Sequence, residues 1–113
     1  MHEMSIMAGL LEIIQGEARI QGFARVTRVG LEIGRLSGVE PEAMRFAFDV
    51  CTAGTVAEGA ELEIEATGGL GRCASCALDF PLDTFQGSCP SCGGSELRVV
   101  SGRELRVQYL DVD

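Results

Sequence analysis

Two cysteine pairs, Cys73-Ala-Ser-Cys76 and Cys89-Pro-Ser-Cys92, are separated by twelve residues and constrain this chain more than any other feature. Each pair can present two sulfurs from one tight turn, so the four thiolates can surround one tetrahedral metal ion, for which Zn²⁺ is the default. Pro90 fixes φ within the second turn, and Gly93 and Gly94 allow backbone amides to approach the sulfurs. Two redox-active pairs, or cysteines buried as small apolar side chains, are the alternatives that the spacing disfavours.

The net charge of the chain limits the kinds of molecule that it can bind. The 113 residues include 17 acidic and 9 basic side chains, all of the latter arginine, and the formal net charge is −8. Four thiolates around one Zn²⁺ add a further −2, which gives about −10. Such a chain repels phosphate backbones and anionic lipid headgroups, so we expect no nucleic acid and no membrane partner. No apolar run approaches the ~20 residues of a membrane span, and paired C-x-x-C units fit a cytoplasmic location.

Two amphipathic helices are predicted from apolar spacing. The first runs from residue 4 to about 20, with Ser5 as a candidate cap and residues 1–3 preceding it as a short free arm. Its inner face is Met7, Leu10, Leu11, Ile14 and Ala18.

The second predicted helix has Glu40 at its cap, Pro41 at its first helical position and Gly54 just beyond its end. Its inner face is Met44, Ala47, Phe48 and Cys51, so the fifth cysteine is expected to be a small core residue.

Alternating apolar and polar residues predict three strands, each with one buried face. They lie at about 24–35, 61–66 and 104–109, and their inward rows are Val29, Leu31 and Ile33, then Leu62, Ile64 and Ala66, then Leu105, Val107 and Tyr109. Val26 breaks the alternation of the first strand, which indicates a bulge or a more deeply covered end of the strand. The outward row Glu61, Glu63 and Glu65 is expected to be solvated, with cross-strand pairing to Arg28 or Arg106 adding little.

The expected fold is α+β, with two helices on a small three-stranded mixed sheet and an inserted zinc-ribbon-like domain. Residues 1–68 plus 102–113 form the first domain, and residues 69–101 form the inserted zinc-binding domain. Gly68, Gly69 and Gly71 are interpreted as a hinge between them. The insert has few apolar residues, namely Leu78, Phe80, Leu82, Phe85, Leu97 and Val99, so the metal must supply much of its folding free energy.

The amino terminus offers a second metal-binding arrangement, because His2 is the one histidine of the chain. The Met1 α-amine, the deprotonated amides of His2 and Glu3, and the His2 imidazole can supply four nitrogens in a plane, which suits Ni²⁺ or Cu²⁺. A histidine beside the initiator methionine is more often an ordinary exposed side chain, and that alternative stays open.

These features together resemble the HypA/HybF family of hydrogenase nickel-incorporation proteins. The resemblance rests on Met1-His2-Glu3-Met4-Ser5, on residues 34–42, on Phe46-Ala47-Phe48-Asp49, on Gly59-Ala60-Glu61-Leu62 and on the two cysteine pairs. It implies a nickel metallochaperone that is not an enzyme. In this interpretation His2 is the nickel ligand, supported by Met1 and Glu3, and Cys73, Cys76, Cys89 and Cys92 hold structural Zn²⁺.

The resemblance also implies two partners, the nickel-handling GTPase HypB and the precursor of the hydrogenase large subunit. Some members of the family carry a further histidine near the zinc unit, and this chain has none, so an imidazole link between the two metal sites is excluded.

Two other functions are weighed against nickel delivery. A zinc-ribbon interaction module without nickel transfer would leave the amino terminus incidental, but the segment between the pairs carries Asp79 and Asp83 and no arginine to grip nucleic acid. A rubredoxin-like iron site is the other, since Cys89-Pro-Ser-Cys92-Gly93 also suits iron, and its visible absorption would reveal it.

Overall fold

The structure, a computed structural model, describes residues 2–84 and 87–113. Its elements are α1 (Glu3–Gln21), β1 (Val26–Gly34), α2 (Pro41–Cys51), β2 (Glu61–Thr67), β3 (Leu70–Cys73), β4 (Asp79–Pro81), β5 (Leu97–Ser101) and β6 (Leu105–Val112). Strands β2, β1 and β6 form one sheet in that order, parallel between β1 and β2 and antiparallel between β1 and β6. Strands β4, β3 and β5 form a second, antiparallel sheet. The α+β architecture with a mixed three-stranded sheet is therefore confirmed.

Helix α1 begins earlier than its sequence suggests. Its cap residue is His2 and its first helical residue is Glu3, so the expected cap at Ser5 is wrong, and Glu3 lies in the helix and not in a free arm. The His2 carbonyl accepts the first helical hydrogen bond, from the Ile6 amide at 3.0 Å. The buried face is as expected, with Met7, Leu11, Ile14 and Ala18 buried and Leu10 half-buried.

Helix α2 agrees closely with its sequence signals. The Glu40 side chain caps it by accepting a hydrogen bond from the Glu42 amide at 3.2 Å, and Pro41 opens the helix. The predicted inner residues Met44, Ala47 and Phe48 are buried and Cys51 is half-buried. With the inner face of α1 and the apolar row of β1, they form the main hydrophobic core.

Strand β1 is buried more completely than predicted. Val29, Leu31 and Ile33 face the helices, but Gly30, Glu32 and Gly34 on the other face are buried as well. Glu32, with 5% of its surface exposed, accepts hydrogen bonds from Arg106 Nε and from Thr67 Oγ1. A central strand with neighbours on both edges is covered by their side chains, which a strand considered alone does not reveal.

A register shift in β6 places Tyr109 on the opposite face from the one predicted. Gly30 pairs with Tyr109 and Leu31 with Val107, so Gln108 is an extra residue in the ladder. Beyond it Leu110, and not Tyr109, joins the core side. Tyr109 instead lies over Gly30, where an added Cβ would come within 2.0 Å of the tyrosine ring. The expected bulge beside Val26 is present, as a register shift between Val26 and Arg28.

The outward glutamates of β2 are exposed, as predicted, and Arg28 lies 3.3 Å from both Glu61 and Glu63. The predicted inward residues Leu62 and Ile64 are half-buried, whereas Ala66 is exposed. Exposed ion pairs of this kind contribute at most about 1 kcal/mol each.

Three glycines lie where the two sheets meet. An added Cβ at Gly69 would come within 1.8 Å of the Leu82 carbonyl oxygen, and one at Gly71 within 2.9 Å of the Leu82 side chain. Gly102 has φ +111° and lies against Gly69. Gly69 and Gly102 therefore allow backbone to pack on backbone, and Gly71 leaves room for the Leu82 side chain. Gly68, the first glycine of the predicted hinge, has no atom within 4 Å of an added Cβ.

Candidate metal centre and amino-terminal site

The four paired cysteines converge on one point. Their sulfurs all lie within 4.8 Å of one another, and the separation is 3.5 Å both between Cys73 and Cys92 and between Cys76 and Cys89. Both of these contacts join a cysteine of one pair to a cysteine of the other, so the two pairs form one cluster. All four are free thiols in the structure.

This geometry suits a tetrahedral ion. Zn–S bonds of about 2.3 Å place the sulfurs of a tetrahedral Zn²⁺ site about 3.8 Å apart, close to the spacing found here. Cys73 and Cys89 are buried while Cys76 and Cys92 are exposed, so the centre lies at the surface of its small core. An iron tetrathiolate has the same donor set, and the spacing alone does not distinguish the two ions.

The two cysteine turns are built alike. Ala77 and Gly93 occupy equivalent positions, four residues after the first cysteine of each pair, and both have positive φ, at 60° and 73°. Each donates its amide to the carbonyl of that first cysteine, Ala77 to Cys73 at 2.9 Å and Gly93 to Cys89 at 2.8 Å. The repetition shows that both turns need a left-handed residue at this point.

Backbone amides in these turns lower the pKa of the first thiol of each pair. The amides of Cys76 and Ser75 lower the pKa of the Cys73 thiol to about 6, against the opposing effect of its burial. At Cys89 the amides of Cys92 and Ser91 lower the pKa in the same way. The first thiol of each pair is thus prepared to act as a thiolate, the form that binds metal.

The second thiol of each pair behaves in the opposite way. At Cys76 the Leu78 amide lowers the pKa, but the Cys89 sulfur, desolvation and the other sulfurs outweigh it and raise the pKa to about 12. At Cys92 the Gly94 amide likewise lowers the pKa, and the neighbouring sulfurs of Cys73 and Cys89 raise it overall. Four thiolates this close repel one another, so a bound cation is needed to deprotonate all four.

Leu36 belongs to the apolar cluster around this centre, which the spacing of apolar residues along the chain does not predict. Leu36, 4% exposed, comes from the loop after β1 and packs with Cys73, Cys89, Phe80 and Leu82 in a second hydrophobic cluster. Of the other apolar residues predicted to support the insert, Leu97 and Val99 are half-buried against this cluster and Leu78 is 40% exposed. Phe85 lies outside the described residues. The one sequence feature that points to Leu36 is its place in residues 34–42, a stretch that resembles the HypA/HybF family.

At the amino terminus the side chain of His2 is exposed and makes no capping hydrogen bond. Glu3 Oε2 accepts a hydrogen bond from the Glu40 amide at 3.3 Å, which ties the start of α1 to the cap of α2. Its own backbone amide and that of Glu40 lower the pKa of Glu3. Met1, the third residue expected here, lies outside the described residues.

Cys51, the remaining cysteine, is remote from the sulfur cluster in sequence and environment. It is half-buried at the end of α2 and its sulfur lies 3.8 Å from the Met4 sulfur. It is packed against the main core, as its helical position indicates.

The fold and the sulfur cluster define a small metalloprotein in which one sheet carries two helices and a second sheet carries a four-cysteine metal-binding group. The family whose sequence model matches residues 1–112 is described as "Hydrogenase/urease nickel incorporation, metallochaperone, hypA". The chain belongs to this HypA family.

Curated relatives match over the full length. The hydrogenase maturation factors HypA of Albidiferax ferrireducens and Geobacter sulfurreducens are 51% and 50% identical over 113 residues, covering 100% of both chains in each case. The solution structure of the nickel metallochaperone HypA from Helicobacter pylori has a TM-score of 0.71 at 24% identity, covering 99% of this chain and 97% of its own. A second HypA solution structure, 25% identical, also has a TM-score of 0.71 and covers 99% and 96%.

The family is one of maturation factors for nickel incorporation and not of catalytic enzymes, which confirms the non-enzymatic prediction. Among the described residues, no helix has the length and apolar character needed to cross a bilayer.

Proposed function

We propose that this chain binds Ni²⁺ at its amino terminus and delivers it during maturation of [NiFe]-hydrogenase in the cytoplasm. The ligands are the Met1 α-amine, the amides of His2 and Glu3, and the His2 imidazole. A planar set of nitrogens selects Ni²⁺ or Cu²⁺ by geometry. Nickel is the cargo, so the site must also release it.

The observation that carries this proposal is the position of His2, exposed at the very start of α1 with its imidazole free of a capping role. The first amides of a helix have no intrahelical partner, so the amide of Glu3 can bind a metal without breaking the helix. The same amide helps to lower the pKa of the Glu3 carboxyl group, so this carboxylate would have to turn away when nickel binds.

Zn²⁺ is the ion we propose for Cys73, Cys76, Cys89 and Cys92, in a structural role. A site closed by four protein ligands has no open position for substrate, which is typical of structural zinc. Residues 69–101 then form a unit inserted into residues 1–68 plus 102–113, and the zinc supplies much of its folding free energy.

The proposed partners are the nickel-handling GTPase HypB and the precursor of the hydrogenase large subunit. A site made partly of backbone amides at a chain end can be dismantled by a protein that offers competing ligands. Transfer by ligand exchange requires no catalytic residue.

The test is a nickel titration of untagged, zinc-loaded protein, followed by ultraviolet–visible absorption and metal analysis. We expect one Ni²⁺ per chain, and loss of that binding both in His2→Ala and in a chain extended by two residues before Met1. Glu12→Ala, an exposed change on the same helix, is the matched control and should bind like the parent. An unaltered titration in His2→Ala would contradict the proposed ligands, and visible absorption before nickel is added would indicate iron in the sulfur site.

A further inference from the structure

Three large apolar side chains are exposed beside the amino terminus. Phe46 is 66% exposed, Val50 49% and Met4 42%. Phe46 and Val50 are four residues apart, one turn of α2, so they form a row along its outer side. Here we call Met4, Phe46 and Val50 the apolar row.

The apolar row borders the proposed nickel ligands. A shallow groove of about 360 Å³ runs between the first turn of α1 and the outer side of α2, and it is lined by His2, Glu3, Met4, Ser5, Ala43, Phe46 and Ala47. A protein that covers Phe46 and fills this groove therefore also contacts His2.

The opposite flank of the row is acidic. Glu42 and Asp49 are both exposed on α2 and are seven residues apart, which places them two turns apart on the side of Phe46 away from Ala43 and Ala47. Arg45, the single basic residue of α2, donates to the Leu62 carbonyl at 2.9 Å and lies 3.8 Å from Glu42, so it offsets one of these two negative charges and Asp49 keeps the other. The surface thus has an apolar centre with a negative border.

We propose that the apolar row is the docking surface for an amphipathic helix of a partner protein, whose apolar face is bordered by Lys or Arg. Helices recognised in this way use apolar anchors spaced at i, i+3 or i+4 and i+7, and the charges at the border fix their orientation and speed their association. That this partner exchanges nickel with His2 rests on the function proposed above. The docking surface itself rests on exposure and charge alone.

The test uses ¹⁵N-labelled, untagged, zinc-loaded protein titrated with two synthetic helical peptides. One peptide carries leucines along one face and lysines beside them, and the other has glutamate in place of every lysine. We expect the lysine peptide to shift the amide resonances of residues 2–4, 43, 46 and 50 first, and the glutamate peptide to bind at least about tenfold more weakly.

Variants localise the effect. Phe46→Ser should weaken binding of the lysine peptide by about tenfold or more, and the pair Glu42→Gln with Asp49→Asn should make that binding less sensitive to salt. Ile20→Ser is the matched control, because Ile20 is 78% exposed on α1 and lies outside the groove. Equal binding of both peptides, shifts centred elsewhere, or an unchanged affinity in Phe46→Ser would overturn the proposal.

Nickel titration of Phe46→Ser separates this inference from the proposed function. We expect this variant to bind nickel like the parent, and a loss of nickel binding would make Phe46 part of the metal site and overturn its docking role. If nickel fails to bind the parent protein while the lysine peptide still requires Phe46, the docking surface stands and the proposed delivery of nickel does not.

Discussion

Gly34, the last residue of β1, lies directly against the backbone of Gly102, and a Cβ added at Gly34 would be 2.0 Å from the Gly102 carbonyl oxygen. The Gly34 amide donates to the Glu104 carbonyl at 2.7 Å, and the Leu36 amide donates to the Gly102 carbonyl at 2.7 Å. The chain entering β6 is therefore held against the chain leaving β1, at the point where the two sheets join.

Gly34→Ala should destabilise the protein by about 1–3 kcal/mol, because backbone atoms cannot move aside as a flexible side chain can. Gly68→Ala is the control in the neighbouring linker, where an added Cβ has nothing within 4 Å. Chemical denaturation of both variants is the measurement. Equal stability in the two would mean that the junction accommodates a methyl group and is looser than the contacts indicate.

The two equivalent turn positions allow a reciprocal exchange. Gly93→Ala should cost about 1–2 kcal/mol, since its φ of +73° disfavours any side chain although no atom lies within 4 Å of the added Cβ. Ala77→Gly should stabilise its turn by up to about 1 kcal/mol, reduced by the greater freedom of glycine in the unfolded chain. Thermal unfolding in the presence of zinc measures both. A destabilised Ala77→Gly would show that the methyl group makes a favourable contact.

Leu36→Ala should weaken the second hydrophobic cluster by about 2–5 kcal/mol, the usual cost of removing a buried leucine side chain. Leu78→Ala removes the same atoms from a residue that is 40% exposed within the same unit, so it should cost much less. Hydrogen exchange of the β3 and β5 amides reports the local free energy of opening. Similar exchange rates of these amides in the two variants would show that Leu36 does not stabilise this cluster.

Removal of the metal by a chelator should unfold residues 70–100 before the rest of the chain, because the small apolar cluster there cannot fold alone. Cys73→Ser should produce the same local loss together with a lower zinc content. Amide exchange distinguishes this outcome from global unfolding, with the buried amides of β1 as the internal reference. Unchanged protection in β3 and β5 after complete zinc removal would refute it.

The Glu3–Glu40 contact should depend on pH. The folded state lowers the pKa of Glu3 below 4.5 through its own amide and that of Glu40, so the carboxylate stabilises the fold at pH values above 4.5. This contribution is lost as the pH falls through the lowered pKa. Glu3→Gln should therefore be less stable than the parent at neutral pH, and the difference should shrink on acidification. Thermal unfolding from pH 7 to pH 3.5 tests this, and a difference independent of pH would point to packing instead.

Much of this structure follows from local sequence. The spacing of the four cysteines predicts a metal-binding group, because each tight turn can present two sulfurs to one tetrahedral ion. Both helices follow from the repeat of their apolar residues, and the start of α2 follows from Glu40 and Pro41, whose effects act within a single turn.

Other features depended on contacts between residues far apart in the chain. Helix α1 begins at Glu3 and not after Ser5, and the carboxylate of Glu3 accepts an exposed hydrogen bond from the Glu40 amide. Tyr109 lies on the face opposite to the one that its alternation predicts, because the extra residue Gln108 in the pairing with β1 reverses the alternation of the strand.

By itself the sequence determined which residues could bind metal and which faces of the helices are apolar, since both depend on chemistry and spacing along the chain. Only the tertiary structure decided that Leu36 supports the sulfur centre, that glycines pack the junction between the sheets, and that Phe46 borders His2. Those relationships arise when distant segments meet, and periodicity within a segment carries no information about what packs against it.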